Sequence, residues 1–315
     1  MGKALQNEAM NIDVQTMIEN KRKKKSVSGK LEKLIPAFLF LCAAVSVLTT
    51  AGILFTLLRE SITFFSNTSI IDFYTGTQWS PWTGHFGVLP LITGTLLITL
   101  IAAIVAIPLG LMSAIFLSEY ASDRVRKIIK PTLEVLAGIP TVVYGFFALT
   151  FVTPLLKTFI PGLGIFNALS AGIVVGIMII PMIASLSEDA MNSVPNKLRE
   201  GALALGATRL EVALKVVLPA AFSGIVASIV LAVSRAIGET MIVVIAAGAS
   251  PALTFDPTRS IQTLTAFIVQ GATGDTTFGS TIYYSIYAVG ATLFVFTLLM
   301  NMLSQYISSK FREEY

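Results

Sequence analysis

The chain is short of charge, of cysteine and of histidine. Only 13% of its 315 residues are Asp, Glu, Lys or Arg, against about 25% in soluble domains. That shortage excludes an ordinary soluble domain and reads as a membrane protein. The single cysteine, Cys42, excludes an internal disulfide and a cysteine-based metal site. The single histidine, His85, with no clustered carboxylates, argues against a catalytic metal centre. No Gly-x-x-x-x-Gly-Lys-Ser/Thr phosphate loop occurs, so the chain is not itself an ATPase. The apolar runs hold no nucleophile–base pair, and neither catalytic residues, metal nor cofactor are expected. A cleavage site is also missing. The first apolar run follows a 33-residue polar stretch and reads as a retained anchor rather than a signal peptide.

What the chain has instead is apolar length. Hydrophobic residues make up 54% of it. Six runs reach the ~20 residues needed to cross a bilayer, at roughly 34–58, 88–117, 131–156, 167–187, 219–249 and 281–307. The expected fold class is therefore all-α, a polytopic membrane protein of six transmembrane helices. Pro90, Pro108 and Pro140 predict kinks or breaks.

Lysine and arginine orient the runs. Eighteen of the 22 fall in the N-terminal segment, the loops after the second and fourth runs, and the C-terminus. Arg59, Lys157 and Arg259 fall on the other side, and Arg235 lies inside a run. Both termini are expected in the cytoplasm. The opening segment, 1–33, ends in Lys21-Arg22-Lys23-Lys24-Lys25. It reads either as a disordered tail whose charge sets topology or as a site for anionic lipid.

The first external loop, about 59–87, carries Trp79, Pro81, Trp82 and His85. Its tryptophans read as an interfacial belt or as contacts to an external partner; His85 reads as a surface histidine. In the last external loop, 250–280, Ile261, Leu264 and Ile268 share one helical face. That face is expected to lie along the outer membrane surface.

The polar stretch between the fourth and fifth runs has unusual local order. Ser193 is expected to cap a short helix with Pro195 in its first turn. Gly206 supplies the turn that ends it. Thr208 and Glu211 form a Thr-x-x-Glu capping box for a second short helix. Pro219 opens the fifth run. The result is two short helices at an angle, either a surface hairpin without a partner or a grip for a soluble protein.

The fifth run contains Ser234-Arg235-Ala236-Ile237-Gly238-Glu239-Thr240. A charge at mid-bilayer costs about 2.5–3.5 kcal/mol on insertion scales. Arg235 and Glu239 are four apart and can pair on one helix face. They read either as a salt bridge locking helices or as a substrate site. Arg suits a tetrahedral oxyanion because its planar fork stays charged and donates several hydrogen bonds. Glu239 would then hold Arg235 in place, or accept a proton from a phosphate hydroxyl. Glu134, at the start of the third run, either snorkels to the interface or faces a cavity. The following Gly138-Ile139-Pro140 favours irregular backbone lining a cavity, or tight helix packing. The loop enters, through Pro219, the helix carrying Arg235 and Glu239. Grip and anion site are thus expected at two ends of one rigid element.

The spacing of Glu200, Gly206, Val216, Leu218 and Pro219 resembles the EAA loop of ABC importer permeases. Gly201 stands where the pattern has Ala, and Val216 where it has Ile. Leu133-Glu134-Val135-Leu136-Ala137-Gly138-Ile139-Pro140, Val143-Tyr144-Gly145 and the Ser234–Thr240 stretch resemble phosphate-specific transport (Pst) permeases. Met241, Phe86-Gly87-Val88-Leu89-Pro90 and Gly94-Thr95 resemble the PstC type. The resemblance covers roughly 60–305.

It implies the type I (MetI-like) permease fold. The implied organisation is a basic tail (1–33), a first helix and external loop (34–87), and a permease domain (88–307) with a coupling loop (188–218), before a short C-terminus (308–315). It implies an ATP-driven phosphate importer with a PstA-like second permease, two PstB-like ATPase subunits and an external PstS-like phosphate-binding protein. Glu200, Gly201, Ala202, Gly206, Thr208 and Pro219 would couple to the ATPase. Arg235, Glu239, Thr240, Ser234 and Glu134 would line the substrate path. The rivals are a permease for molybdate or sulfate and a stand-alone proton-coupled transporter using Glu134 and Glu239. The second is disfavoured by the EAA spacing and by the absence of inverted halves with matching broken helices.

Overall fold

The structure is a computed structural model. It describes the backbone of residues 2–274 and 276–310 and the side chains of residues 34–303, 305 and 306, except 275. Two compact units emerge, residues 1–57 and 58–315. Helix α1 (Gly2–Asn67) begins in the first and ends in the second. The basic stretch, expected as a disordered tail, lies within this helix. Its side chains, like Arg312, lie outside the described residues. Thr49, Thr50, Thr56 and Thr63 each return their hydroxyl to the carbonyl four residues back, which satisfies polar groups on an otherwise apolar helix.

Among the described residues, five helices are long and apolar enough to cross a membrane, and a bent pair makes a sixth. The second unit is built on two of them, α3 (Leu89–Ile115) and α7 (Ala168–Asn192). Pro90 sits in the first turn of α3, where its missing N–H costs nothing. At Pro108 α3 continues without a break. The helix ends in a π-turn at Phe116–Tyr120. Asn167 caps α7 by accepting the Ser170 N–H at 2.7 Å. The two helices approach closely because glycine faces β-branched side chains. A Cβ on Gly172 would stand 2.7 Å from Ile101, one on Gly110 2.8 Å from Ile183 and one on Gly176 2.9 Å from Val105. Side chains of ordinary size would force the helices apart.

Three apolar layers stack along this unit. A middle layer gathers Ile98, Ala102, Tyr144, Val175, Ile179, Ala232 and Ile242. At one end Ala114, Met191, Val212, Val217, Ala221 and Ile225 form an inner layer near the 188–218 loop. At the other end Phe64, Phe73, Trp79, Leu264 and Phe267 form an outer layer.

The outer layer overturns two expectations. Helix α2 (Ile70–Thr75) is followed by a two-stranded hairpin, β1 (Trp79–Ser80) and β2 (His85–Phe86). Trp79 is buried, edge-on to Phe267 at 4.7 Å and near Phe73 and Phe86. It is a core residue and not part of an interfacial belt; Trp82 and His85 are exposed. Residues 261–267 are likewise all buried. Helix α13 (Leu264–Thr273) packs under the hairpin instead of lying along a membrane surface. The apolar periodicity there marks a buried face, because aromatic side chains from distant segments cover it.

Two runs are not single spans. The third divides into α4 (Asp123–Ala137), which buries no residue, and a crossing segment, Thr141–Phe159. That segment comprises α5 (Thr141–Phe147), a π-turn at Ala148–Val152 and α6 (Thr153–Phe159). Pro140 lacks an N–H and pushes Ile139 out of helical backbone, so the break falls at 138–140. The fifth run comprises α10 (Leu218–Ala220), α11 (Phe222–Ile237) and α12 (Met241–Ala246). The last span is α14 (Thr281–Lys310).

Candidate functional site

The loop residues sit on α8 (Asn196–Ala204), α9 (Arg209–Val212) and the turn between them. Ser193 does not cap α8. It terminates α7, and its hydroxyl donates to the Ala190 carbonyl at 2.7 Å. A serine captured by a local carbonyl is unavailable as a cap. Pro195 takes the N-cap position, outside the first turn. Gly206 has φ +86°, the left-handed backbone that only glycine adopts without strain. The Gly206 N–H bonds Leu203 O and the Ala207 N–H bonds Ala202 O, the Schellman closure of α8. The Thr208–Glu211 capping box is present, with Thr208 N–H donating to Glu211 Oε2 at 3.0 Å. Glu200, Gly201, Gly206, Thr208 and Pro219 are exposed, and Ala202 leans on the inner layer. At the tip stands Leu205, 91% exposed. Its signal in the sequence is an apolar residue directly before the turn glycine.

The rigid connection expected between this loop and Arg235 is absent. The segment Arg209–Ala220 meets α11 at 74°. A π-turn at Ala213–Val217 precedes Pro219, and the bend buries Val217, Ala221 and Ile225 in the inner layer. Gly224 gives α11 its close approach to α7; a Cβ there would stand 2.6 Å from the Ala190 Cβ.

The second group of residues surrounds a helix break. α11 ends at Ile237, and residues 238–240 are not helical. Arg235, in the last turn of α11, is exposed and has no hydrogen bond or ion pair among the described residues. Glu239 is buried and faces elsewhere. Its Oε1 accepts the Ile242 N–H at 3.2 Å, and its carbonyl accepts the Thr265 hydroxyl at 2.8 Å. The expected pairing is therefore not made, because the break removes Glu239 from the face of α11. Ser234 donates to Asn301 Oδ1 of α14 at 3.0 Å, and Thr240 donates to Gly238 O at 3.2 Å. Glu134 is exposed near the end of α4.

Among the described residues, the helical backbone breaks at 138–140 in the third run and at 238–240 in the fifth. The first break, 138–140, is bridged by the Tyr144 hydroxyl donating to Leu136 O at 2.9 Å. The helices after the two breaks, α5 and α12, pack together. A Cβ on Gly145 would stand 2.9 Å from Ile245 Cδ1 and 3.2 Å from Met241 O. The two spans are separated by one crossing and run in the same direction, so they are not inverted.

The inner end also holds charges that no local spacing announced. Glu188 of α7 is fully buried, and its carboxylate meets the Arg126 guanidinium and, at 2.8 Å, Lys130 Nζ, both from α4. Burial pulls the Lys130 pKa down. Hydrogen bonds and charge from Asp189 and Glu188 outweigh that, and the net direction is upward. Asn192 Nδ2 donates to the same Glu188 carboxylate at 2.7 Å.

Residues 106–313 match the family described as binding-protein-dependent transport system inner membrane component. The chain is 36% identical to the probable ABC transporter permease protein YqgH of Bacillus subtilis over 311 residues, 96% of this chain and 98% of that one. It is 35% identical to the phosphate transport system permease protein PstC of Mesorhizobium japonicum, covering 75% and 77%. For PstC of Haemophilus influenzae the identity is 33%, covering 81% and 84%. Among solved structures, the fold is similar to a chain of a bacterial alginate ABC transporter (TM-score 0.63, 16% identity, 88% and 95% covered). It is similar also to one of the inward-facing MetNI methionine ABC transporter (TM-score 0.54, 17% identity, 75% and 100% covered). The chain belongs to the binding-protein-dependent transport system inner membrane components, as a MetI-like ABC importer permease of the PstC type.

Proposed function

We propose that this chain is the PstC-like permease subunit of an ATP-driven importer of inorganic phosphate. The observation that carries the reading is Arg235. A guanidinium facing hydrocarbon would be costly, and this one is exposed with no partner among the described residues. The face that bears it therefore borders a second subunit or an aqueous path. A planar cation left free beside a helix break suits an oxyanion. The PstC relatives support phosphate as that oxyanion.

The chain would pair with a PstA-like permease, two PstB-like ATPase subunits and an external PstS-like binding protein, with both termini in the cytoplasm. It carries out no covalent chemistry. ATP binding closes the ATPase pair, and residues around 193–217 move with it through Glu200, Gly201, Ala202, Gly206, Thr208 and Pro219. The exposed Leu205 would add an apolar contact at the tip. The permease core, 88–307, then alternates between its two openings, and hydrolysis resets it. Since the helix bends by 74° before Arg235, the motion reaches the substrate path through packing of α11 on its neighbours, not along one rod.

The test is reconstitution of the chain with those partners in vesicles. ATP-dependent uptake of radiolabelled phosphate, outcompeting sulfate and molybdate, is expected. Uptake that prefers another oxyanion would replace the substrate. Transport by this chain alone, without ATP, would replace the mechanism.

A further inference from the structure

The inner-end charge network continues beyond Glu188 to the coupling loop. Asn192 Oδ1 lies 3.3 Å from the Ser118 hydroxyl, which lies 3.0 Å from Glu119 Oε1. Glu119 Oε1 accepts from Arg199 Nε at 3.1 Å. Arg199 also donates to the carbonyls of Val194 at 2.6 Å and Met191 at 2.7 Å, and to Asn196 Oδ1 at 3.1 Å. One line of polar contacts thus runs from α4 through the end of α7 and the end of the second span to α8.

Three features set Arg199 apart. First, α8 buries no residue, so apolar packing holds it weakly. Second, among the described residues of α8, only Arg199 makes a side-chain hydrogen bond or ion pair to another element. Arg suits this task because its rigid fork serves several acceptors at once. Third, Ser118 and Glu119 lie in the π-turn at Phe116–Tyr120. A π-turn is a local irregularity often found at functional positions. Arg199 and Glu119 expose only 16% and 10% of their side chains, so water screens the pair little.

We propose that Arg199 and Glu119 form the joint through which movement of α8 reaches α3, with Ser118, Asn192 and Glu188 spreading it to α7 and α4. They are positioning residues and touch no substrate. The inference rests on the reading of 188–218 as the ATPase-docking loop.

The scarcity of cysteine supplies the test. In the assembled transporter, Cys42→Ser removes the chain's single thiol, and Leu253→Cys, exposed beyond α12, provides a reporter at the far end. The rate of thiol labelling is measured with and without ATP, together with ATP hydrolysis and phosphate uptake. The expected result is an ATP-driven change in labelling that Glu119→Gln abolishes and Ser118→Ala diminishes, while hydrolysis continues. A purely structural role would lower assembly and leave the labelling change per ATP hydrolysed intact. If both variants keep the full change, the joint is overturned and the docking reading survives. If the Glu119→Gln complex does not assemble, Ser118→Ala decides, a full change overturning the joint and a reduced one supporting it. If the unsubstituted complex shows no ATP-driven change, docking and joint fall together. In the unsubstituted complex, an intact labelling response without phosphate uptake counts only against the substrate; the joint is then overturned if the variants keep that response and supported if they lose it.

Discussion

Arg235 and Glu239 stand four residues apart in one apolar run and do not pair. The guanidinium has no partner among the described residues, while the carboxylate is buried against the Ile242 N–H. Two residues that a continuous helix would have joined are separated by the break at 238–240. The cation is thereby left available and the anion is held aside.

Glu239 then acts first as a backbone cap. Glu239→Ala is expected to cost about 1 kcal/mol through loss of the acceptor at the start of α12. Glu239→Gln keeps an acceptor and should lose only part of that. Thermal unfolding of the detergent-purified complex distinguishes the two, and equal destabilisation by both substitutions would argue against the capping role.

Gly145 should tolerate no branched side chain. A Cβ there already stands 2.9 Å from Ile245, so Gly145→Val is expected to push α5 from α12 at a cost of about 1–3 kcal/mol. The double variant Gly145→Val with Ile245→Ala should recover part of it. Recovery is read as folded yield in membranes, and an additive double variant would contradict the contact.

Gly206 lies in open space, so its substitutions report backbone alone. Gly206→Val is expected to cost about 1–2 kcal/mol at φ +86°. Gly206→Asn should cost less, because asparagine visits left-handed backbone. Co-purification of the ATPase subunit should follow the same order. A valine variant with full association and coupled transport would remove Gly206 from the coupling account.

The tryptophans separate by burial. Trp79→Ala opens the outer layer and is expected to destabilise by about 3–5 kcal/mol. Trp82→Ala, at an exposed position, should stay within about 0.5 kcal/mol. Thermal unfolding measured side by side decides; a mild Trp79→Ala would contradict its place in the core.

Much of this was legible in the sequence where the signal is local. The runs for α3, α7 and α14 announce themselves by length. Gly206, Thr208 and Glu211 state the turn and the second cap through their own side chains. The misreadings occurred where distant residues decide. Trp79 looked interfacial until Phe73 and Phe267 enclosed it. Ser193 fitted an N-cap but was already held by Ala190. The run through Pro219 looked like one helix, yet it bends at Ala221, which is buried in one layer with Ala114 and Met191. The Glu119–Arg199 pair joins residues 80 positions apart, and no spacing rule reaches that far.

The central claim is that Arg235 engages the transported anion. Its most direct test is ATP-dependent phosphate uptake by the reconstituted complex carrying Arg235→Gln, with assembly checked in the same preparation. Uptake is expected to fall by at least about tenfold, or ~1.4 kcal/mol in transition-state terms, while the subunits still co-purify and hydrolyse ATP. Unchanged phosphate uptake by that variant would contradict the account.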